Sequence, residues 1–328
     1  HRAQRLHLLS ILMTPPSVTN FWQELKVLAV LALFLLGLEL FARTISPHLD
    51  RDRNHIKQFD NILASLPEKE SGTILGNSLL MDGLDLELLQ SKSLLPLIRI
   101  TPVSTAILDW EHLYERYFHP AQKKPDHLFL GFVAHHVNDS EPVKLRRLAR
   151  HFATLESLPT LWKNEDLNFH QRTQSILAHS TALIGDQPAH RERILDYFID
   201  WYRLGLRTNK DFVTLGPSPP SAQSFLRFSR FIEDCQRDGI QVWLMPMPQP
   251  EMWELDPKFI KLIDRENLIL LDARNIAGIT PADFSDGYHL GETGAEKFTL
   301  WLASKINQKL LEKNESHQAP SPPTLPSR

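Results

Sequence analysis

The feature that most limits how this chain can fold is a long apolar segment near its start. Residues 25–42 read LKVLAVLALFLLGLELFA, and the central run, residues 27–38, carries no charge. A helix needs about 20 apolar residues to cross the roughly 30 Å hydrocarbon core of a bilayer. Phe21 and Trp22 precede the segment and are suited to a membrane–water interface. The sequence therefore predicts a transmembrane helix over residues 25–43.

Two other interpretations of this segment stay open. A cleaved signal peptide would need small residues at its cleavage site, and Leu40-Phe41-Ala42-Arg43 is a poor one. A buried helix of a soluble protein is apolar on one face, whereas this segment is apolar all round. Basic residues lie on both sides of it, so the positive-inside rule does not assign an orientation.

The rest of the chain alternates between short apolar runs and helical patterns. The apolar runs 72–75, 97–100, 127–133, 241–245 and 268–271 predict strands. Strands that alternate with helices indicate an α/β domain with a parallel sheet. The expected organisation is an N-terminal tail (1–24), the transmembrane helix (25–43), a stalk (44–70), an α/β domain (71–312) with a helical insertion at about 142–238, and a disordered tail (313–328).

Composition excludes several classes of site and partner. The net charge of −3 gives no reason to expect nucleic acid. Cys235 is the sole cysteine, so neither an internal disulfide nor a cysteine-based zinc site can form. The neighbours His135, His136 and Asp139 could suggest a metal site, but adjacent histidines tend to point apart, and we expect no metal. We also expect no cofactor.

Two short strings at opposite ends of the domain carry chemistry together. Ser78 follows Gly76-Asn77 directly after the first predicted strand, and strand, sharp turn and helix expose a nucleophile at the carboxyl end of a parallel sheet. Asp286 stands three residues before His289, a spacing of about one helical turn. Either string alone is typical of an ordinary turn or helix cap.

Together these residues supply a nucleophile, a base and an orienter. The hydroxyl of Ser78 is a weak nucleophile unless an imidazole takes its proton. Asp286 would fix the tautomer of His289 and stabilise its charged form. The combination predicts acyl transfer through an acyl-enzyme.

The basic side chains of the predicted helix that begins near residue 142 are a separate feature. Arg146, Arg147 and Arg150 lie on one face of it. We expect this face to be an ordinary solvated surface, the alternative being contact with an anionic polysaccharide or lipid headgroups.

The two strings resemble the SGNH (GDSL-like) hydrolase superfamily, and the likeness would cover roughly residues 71–311. That family implies a flavodoxin-like three-layer fold, with Ser78, Asp286 and His289 as catalytic residues. Asn77 replaces the family's aspartate. The family's oxyanion hole takes a glycine amide and an asparagine, for which Ser104 and Asn138 are the stand-ins here, beside the backbone N–H of Ser78.

A membrane helix ahead of such a domain is similar to the extracytoplasmic acyltransferase and esterase branch of the family. The resemblance implies an acylated glycan or small acyl ester as substrate, a membrane-bound acyl carrier protein as partner, and a bacterial inner-membrane location with the catalytic domain outside the cytoplasm. A simple lipase or thioesterase, and a catalytically degenerate binding subunit of an envelope polysaccharide assembly, are the alternatives.

Overall fold

The apolar segment forms a single long helix. The computed structural model describes residues 18–49, 56–198 and 224–318. Helix α1 (Val18–Leu49) contains a stretch, Phe21–His48, that is long and apolar enough to cross a membrane, and 6% of its most apolar window is buried. The helix extends past the predicted end at residue 43 because its last turns pack against other helices, where Ala42 and Ser46 are buried.

Five parallel strands form the sheet. They are β1 (Gly72–Leu75), β2 (Leu97–Ile100), β3 (His127–Phe132), β4 (Gln241–Pro246) and β5 (Ile269–Leu270). Their order is β2-β1-β3-β4-β5. This is the flavodoxin-like order, in which the chain reverses its direction of winding between β1 and β3 and ligands bind at the carboxyl ends of those strands. The predicted α/β fold class is confirmed.

The strands alternate between two cores, one on each face of the sheet. Along β1, Leu75 belongs to one cluster of buried residues and Ile74 to the other. Along β4 the same alternation separates Leu244 from Trp243 and Met245. Successive side chains of a strand point to opposite faces, so apolar runs without polar interruption indicate strands that are covered on both sides.

Helices cover both faces. Those outside the insertion are α2 (Phe59–Ala64), α3 (Ser78–Gly83), α4 (Leu86–Lys92), α5 (Ile107–Leu113), α12 (Pro257–Arg265) and α13 (Glu292–Gln318). The region between β3 and β4 holds α6 (Leu145–Arg147), which continues as a π-helical turn (Leu148–Phe152), and then α7 (Leu158–Asn164), α8 (Phe169–Ser180), α9 (Ala182–Gly185), α10 (Gln187–Phe198) and α11 (Leu226–Arg237). The predicted insertion is thus helical where it is described, and its apolar residues complete the core on one face of the sheet.

Some predicted segments differ from the structure or lie outside it. Helix α12 was not predicted; Asp256 caps it by accepting from the backbone N–H of Lys258, and Pro257 opens it. Helix α13 continues to Gln318, past the expected end of the domain at residue 312. Parts of the predicted tails (1–17 and 319–328), stalk (50–55) and insertion (199–223) lie outside the described residues.

Candidate active site

The predicted nucleophile lies in a crowded turn at the end of β1, the nucleophile turn (residues 75–79). A Cβ atom on Gly76 would come within 2.6 Å of Leu80 Cδ1 and 3.1 Å of the Gly131 carbonyl oxygen, so a larger residue fits only if the Leu80 side chain moves. Asn77 caps α3, because its Oδ1 accepts a hydrogen bond of 3.1 Å from the backbone N–H of Leu79. Ser78 is therefore the first residue of α3 and is half-buried at the carboxyl edge of the sheet.

The asparagine in place of an aspartate has a structural reason. The Asn77 side-chain amide donates to the backbone carbonyl of Thr105 at 3.0 Å, and its nitrogen lies 3.2 Å from the ring of His136. A carboxylate has no proton to donate to that carbonyl. The amide thus ties the nucleophile turn to the loop after β2, as does the Thr105 hydroxyl, which donates to the Gly76 carbonyl at 3.2 Å.

The predicted base and orienter lie in a turn before α13, the Asp–His turn (residues 283–291), which is exposed at Asp286 and buried at Phe284 and Leu290. The backbone N–H of Ser285 donates to the His289 carbonyl at 3.0 Å, and Phe284 and Leu290 form an antiparallel bridge. Asp286 Oδ1 accepts from the backbone N–H of His289 at 2.7 Å. The side chains of Asp286 and His289 meet because of this turn and not because of a helix, which corrects the expected helical spacing.

The three side chains form one hydrogen-bonded chain. His289 Nε2 lies 2.9 Å from Ser78 Oγ, across 211 residues of sequence. His289 Nδ1 lies 2.7 Å from Asp286 Oδ2. The structure therefore brings together the three residues that were predicted as catalytic, in the order nucleophile, base and orienter. This arrangement allows the imidazole to take the serine proton while the carboxylate stabilises the resulting positive charge.

Local hydrogen bonds keep the carboxylate of Asp286 ionised. Partial burial by itself would raise its pKa, but the backbone N–H of His289, the His289 imidazole and the backbone N–H of Tyr288 all favour the charged form. The pKa of Asp286 consequently lies below its ordinary value. Half of the side chain is exposed to solvent, which screens its attraction to the imidazole.

The two predicted oxyanion residues are placed differently from each other. Ser104 lies in the loop that Thr105 ties to the nucleophile turn, and its φ of 52° is in the left-handed region that favours glycine. Within the described part of the chain, the Asn138 amide donates only to the Ala134 carbonyl, at 3.4 Å, and no hydrogen bond joins it to Ser78. The oxyanion role of both residues stays a prediction.

The two histidines after β3 differ in burial, since His136 is buried and His135 is half-buried. Among residues 18–49, 56–198 and 224–318, no group of three His, Cys, Asp or Glu side chains could hold a metal ion. His136 packs against His135 with ring centroids 4.1 Å apart, and its Nδ1 accepts from the backbone N–H of Val133. Burial, His135 and Lys144 hold the pKa of His136 well below its usual range, so the ring is neutral.

The basic face of the insertion is not a solvated surface, and that expectation was wrong. Arg147 donates to the carbonyls of Val103 and Ser104 at 2.6 and 3.0 Å. Arg150 pairs with the buried carboxylate of Asp186 at 2.7 Å. A run of basic residues on one helix face carries no sequence signal that distinguishes solvent from loop carbonyls or a buried carboxylate as its partners.

Comparisons with known proteins gave matches among solved structures. No protein-family model matches the chain, and no curated protein sequence matches it. A protein described as an acylhydrolase from Bacteroides fragilis covers 77% of this chain and 96% of its own at 10% identity, with a TM-score of 0.40. A protein described as a lipolytic member of the G-D-S-L family from Desulfitobacterium hafniense covers 73% of this chain and 99% of its own, at 9% identity and a TM-score of 0.36.

An acetyl-xylooligosaccharide esterase from Geobacillus, in a single-residue mutant form, also matches. It covers 74% of this chain and 95% of its own, at 14% identity and a TM-score of 0.34. The chain is similar to each of these proteins in fold alone. The functional proposal below depends instead on the geometry of the site.

Proposed function

We propose that the protein is a membrane-anchored serine esterase or O-acyltransferase that acts on acyl esters of a cell-envelope or exported polysaccharide. The observation that carries the proposal is the hydrogen-bonded chain from Ser78 Oγ through His289 to Asp286. A serine, an imidazole and a carboxylate in this order are the minimum set for acyl transfer through an acyl-enzyme.

The chemistry proceeds in two halves. His289 Nε2 removes the proton of Ser78 as the oxygen attacks the ester carbonyl, and the C–O bond to the leaving alcohol then breaks as His289 returns the proton to that alcohol. The acyl group is now bound to Ser78. A water molecule or a sugar hydroxyl then attacks the acyl-enzyme, and His289 takes the proton of the attacking oxygen. The bond between the acyl group and Ser78 breaks, and His289 returns the proton to the serine oxygen.

Helix α1 supports membrane anchoring. Its side chains between Phe21 and Gly37 are exposed, whereas a helix in the core of a soluble protein would bury at least one face. We infer a single anchor in a bacterial inner membrane with the catalytic domain outside the cytoplasm. A transferase in this place would receive its acyl group from a membrane-bound acyl carrier protein.

A fluorophosphonate probe tests the proposal directly, because it reacts only with an activated serine. The full-length protein in detergent should be labelled, and Ser78→Ala should lose both the label and at least about 10⁴-fold of the hydrolysis of p-nitrophenyl acetate. Ser91→Ala is the matched control, since Ser91 is an exposed helical serine whose hydroxyl donates to the carbonyl of Leu88 in its own helix; it should keep both. Equal labelling of the two variants would contradict the proposal.

A non-catalytic binding subunit is the second candidate, and the placement of Asn138 favours it. The amide that the family uses for the oxyanion is here turned towards Ala134, and its oxygen accepts from the backbone N–H of Ser140 at 3.0 Å. A wild-type protein that neither labels nor hydrolyses esters would favour this second function. Product analysis then separates esterase from transferase, because a transferase moves the acyl group to a sugar faster than to water.

A further inference from the structure

The segment Lys144–Phe152, which we call the brace, is hydrogen-bonded to the loop that contains Ser104. Lys144 Nζ donates to the Ser104 carbonyl at 2.8 Å. Arg147 donates to the same carbonyl at 3.0 Å and to the neighbouring Val103 carbonyl at 2.6 Å. Charged donors make stronger hydrogen bonds than neutral ones. Three of them on two adjacent carbonyls therefore fix the backbone of this loop.

The hydrogen bonds from Lys144 and Arg147 hold a part of the loop whose backbone conformation is strained. Ser104 holds a φ of 52°, which a residue with a side chain adopts only at an energetic cost. Its neighbour Thr105 bonds to Gly76 and Asn77, which lead directly into Ser78. The N–H of Ser104 is thus held at a fixed place beside the nucleophile turn by contacts on both sides of the loop.

The brace is itself rigidly placed. Its inner face, Leu148, Ala149 and Phe152, is completely buried in the core. Arg147 also lies over the ring of Phe152, 5.4 Å from the centroid, so its guanidinium is fixed by stacking as well as by hydrogen bonds.

The other end of the brace is joined to helix α1. Arg150 Nε lies 2.7 Å from Asp186 Oδ1, and Ser46 of α1 donates to Oδ2 of the same carboxylate at 2.6 Å. Asp186 is 1% exposed. A second contact runs from Glu39 of α1, whose carboxylate accepts from the backbone N–H groups of Ala182 and Leu183 at 2.8 and 3.0 Å. One buried carboxylate therefore links the helix that we propose as the anchor to the brace.

We propose that Lys144 and Arg147 are positioning residues for the oxyanion hole, and that helix α1 holds them in place through Ser46, Asp186 and Arg150. This inference rests on the proposed function. In this arrangement the N-terminal helix is part of the support of the active site, and it does more than attach the enzyme to a membrane.

Arg147→Met tests the hydrogen bonds from the brace to the loop, with Arg146→Met as its matched control. Arg146 lies on the same helix but donates to Gln187, away from the loop. In the full-length protein with p-nitrophenyl acetate, Arg147→Met should lower kcat about tenfold with KM within about twofold, because complete loss of an oxyanion donor costs about 10²–10³-fold and acts in the transition state. Arg146→Met should keep kcat within about twofold. Arg147→Lys, which keeps one charged donor, should recover part of the loss.

Hydrogen exchange separates this inference from the proposed function. The amide of Thr105, which is 1% exposed, should exchange faster in Arg147→Met than in the wild type or in Arg146→Met, whether or not the protein hydrolyses esters. An inactive, unlabelled wild type that shows this exchange pattern would refute the proposed function alone. Unchanged exchange in Arg147→Met, or equal loss of kcat in the Met variants at 146 and 147, would overturn the positioning role.

A double-mutant cycle tests the link to α1. Ser46→Ala removes a single hydroxyl and should lower kcat by a factor within the range of about two to thirty that coupled positions show. Combined with Arg147→Met, the loss should be smaller than the product of the two separate losses, because both changes release the same loop. Losses that multiply would show that α1 acts independently of the brace.

Discussion

The two turns that supply the candidate triad are built in opposite ways. The nucleophile turn is buried, crowded by Leu80 and Gly131, and tied to the loop after β2 by Asn77 and Thr105. The Asp–His turn is exposed around Asp286, although Phe284 and Leu290 are buried in the core, and backbone N–H groups of the turn itself hold the Asp286 carboxylate.

Different forces position the two halves of the site. Ser78 depends on the packing of a sheet edge, so changes in its surroundings should affect stability and activity together. The Asp286–His289 pair depends on local backbone bonds, so changes there should affect activity while most of the fold is unaffected.

Asp286→Asn should lower kcat/KM for p-nitrophenyl acetate by about 10²–10³-fold with little change in the melting temperature. The amide can still accept the turn's backbone bonds, but it would present a donor to His289 Nδ1 and favour the wrong tautomer. The half-exposed carboxylate gives a smaller loss than a buried one. Asp272→Asn, at an exposed ion pair with Arg274, is the control and should keep full activity. A loss below about threefold would remove Asp286 from the mechanism.

Gly76→Ala should reduce stability and activity together. The new methyl group would lie 2.6 Å from Leu80 Cδ1, and Leu80 is fully buried. Overpacking of this kind typically costs about 1–3 kcal/mol, and a displaced nucleophile loses up to about a hundredfold in rate. Urea unfolding and ester hydrolysis measure the two effects. A second change, Leu80→Val, should recover part of both; if it recovers neither, the crowding is not the cause.

Gly287→Ala should have a smaller effect. Its φ of 79° is left-handed and nothing lies within 4 Å of a Cβ there, so the change costs roughly 1–2 kcal/mol of backbone strain and no clash. Gly278→Ala, with a φ of 89° and the same open surroundings, is the matched control. Both should lose similar stability, but only the change at 287 should lower kcat. Equal kcat values would mean that the Asp–His turn tolerates distortion.

Lowering the pH should reduce the contribution of Asp286 to the stability of the fold by a small amount. Because the pKa of Asp286 is lower in the folded chain than in the unfolded one, its contribution to stability is full above the unfolded value of about 3.9 and is lost as the pH falls through the folded value. The melting temperatures of the wild type and Asp286→Asn should therefore differ more at pH 7 than at pH 3. A larger gap at pH 3 would contradict the lowered pKa.

Much of the fold could be predicted from the sequence because strands buried on both faces leave uninterrupted apolar runs. The first two strands match their predicted bounds, 72–75 and 97–100. Helix α12 was missed although its buried residues Phe259, Leu262 and Ile263 have the i, i+3, i+4 spacing of a helix. The π-helical turns Tyr114–Phe118, after α5, and Leu148–Phe152, after α6, carry no separate sequence signal, since a single widened turn leaves the apolar spacing almost unchanged.

Local patterns and short motifs alone indicate the apolar N-terminal helix, the α/β class and the three candidate catalytic residues. Tertiary packing places Ser78 and His289 within hydrogen-bonding distance and turns Asn138 towards Ala134. Tertiary packing also brings Arg147 to the loop after β2 and Arg150 to the carboxylate of Asp186. These contacts join residues far apart in the chain, so their partners are set by how the sheet and its covering helices pack, which no local pattern records.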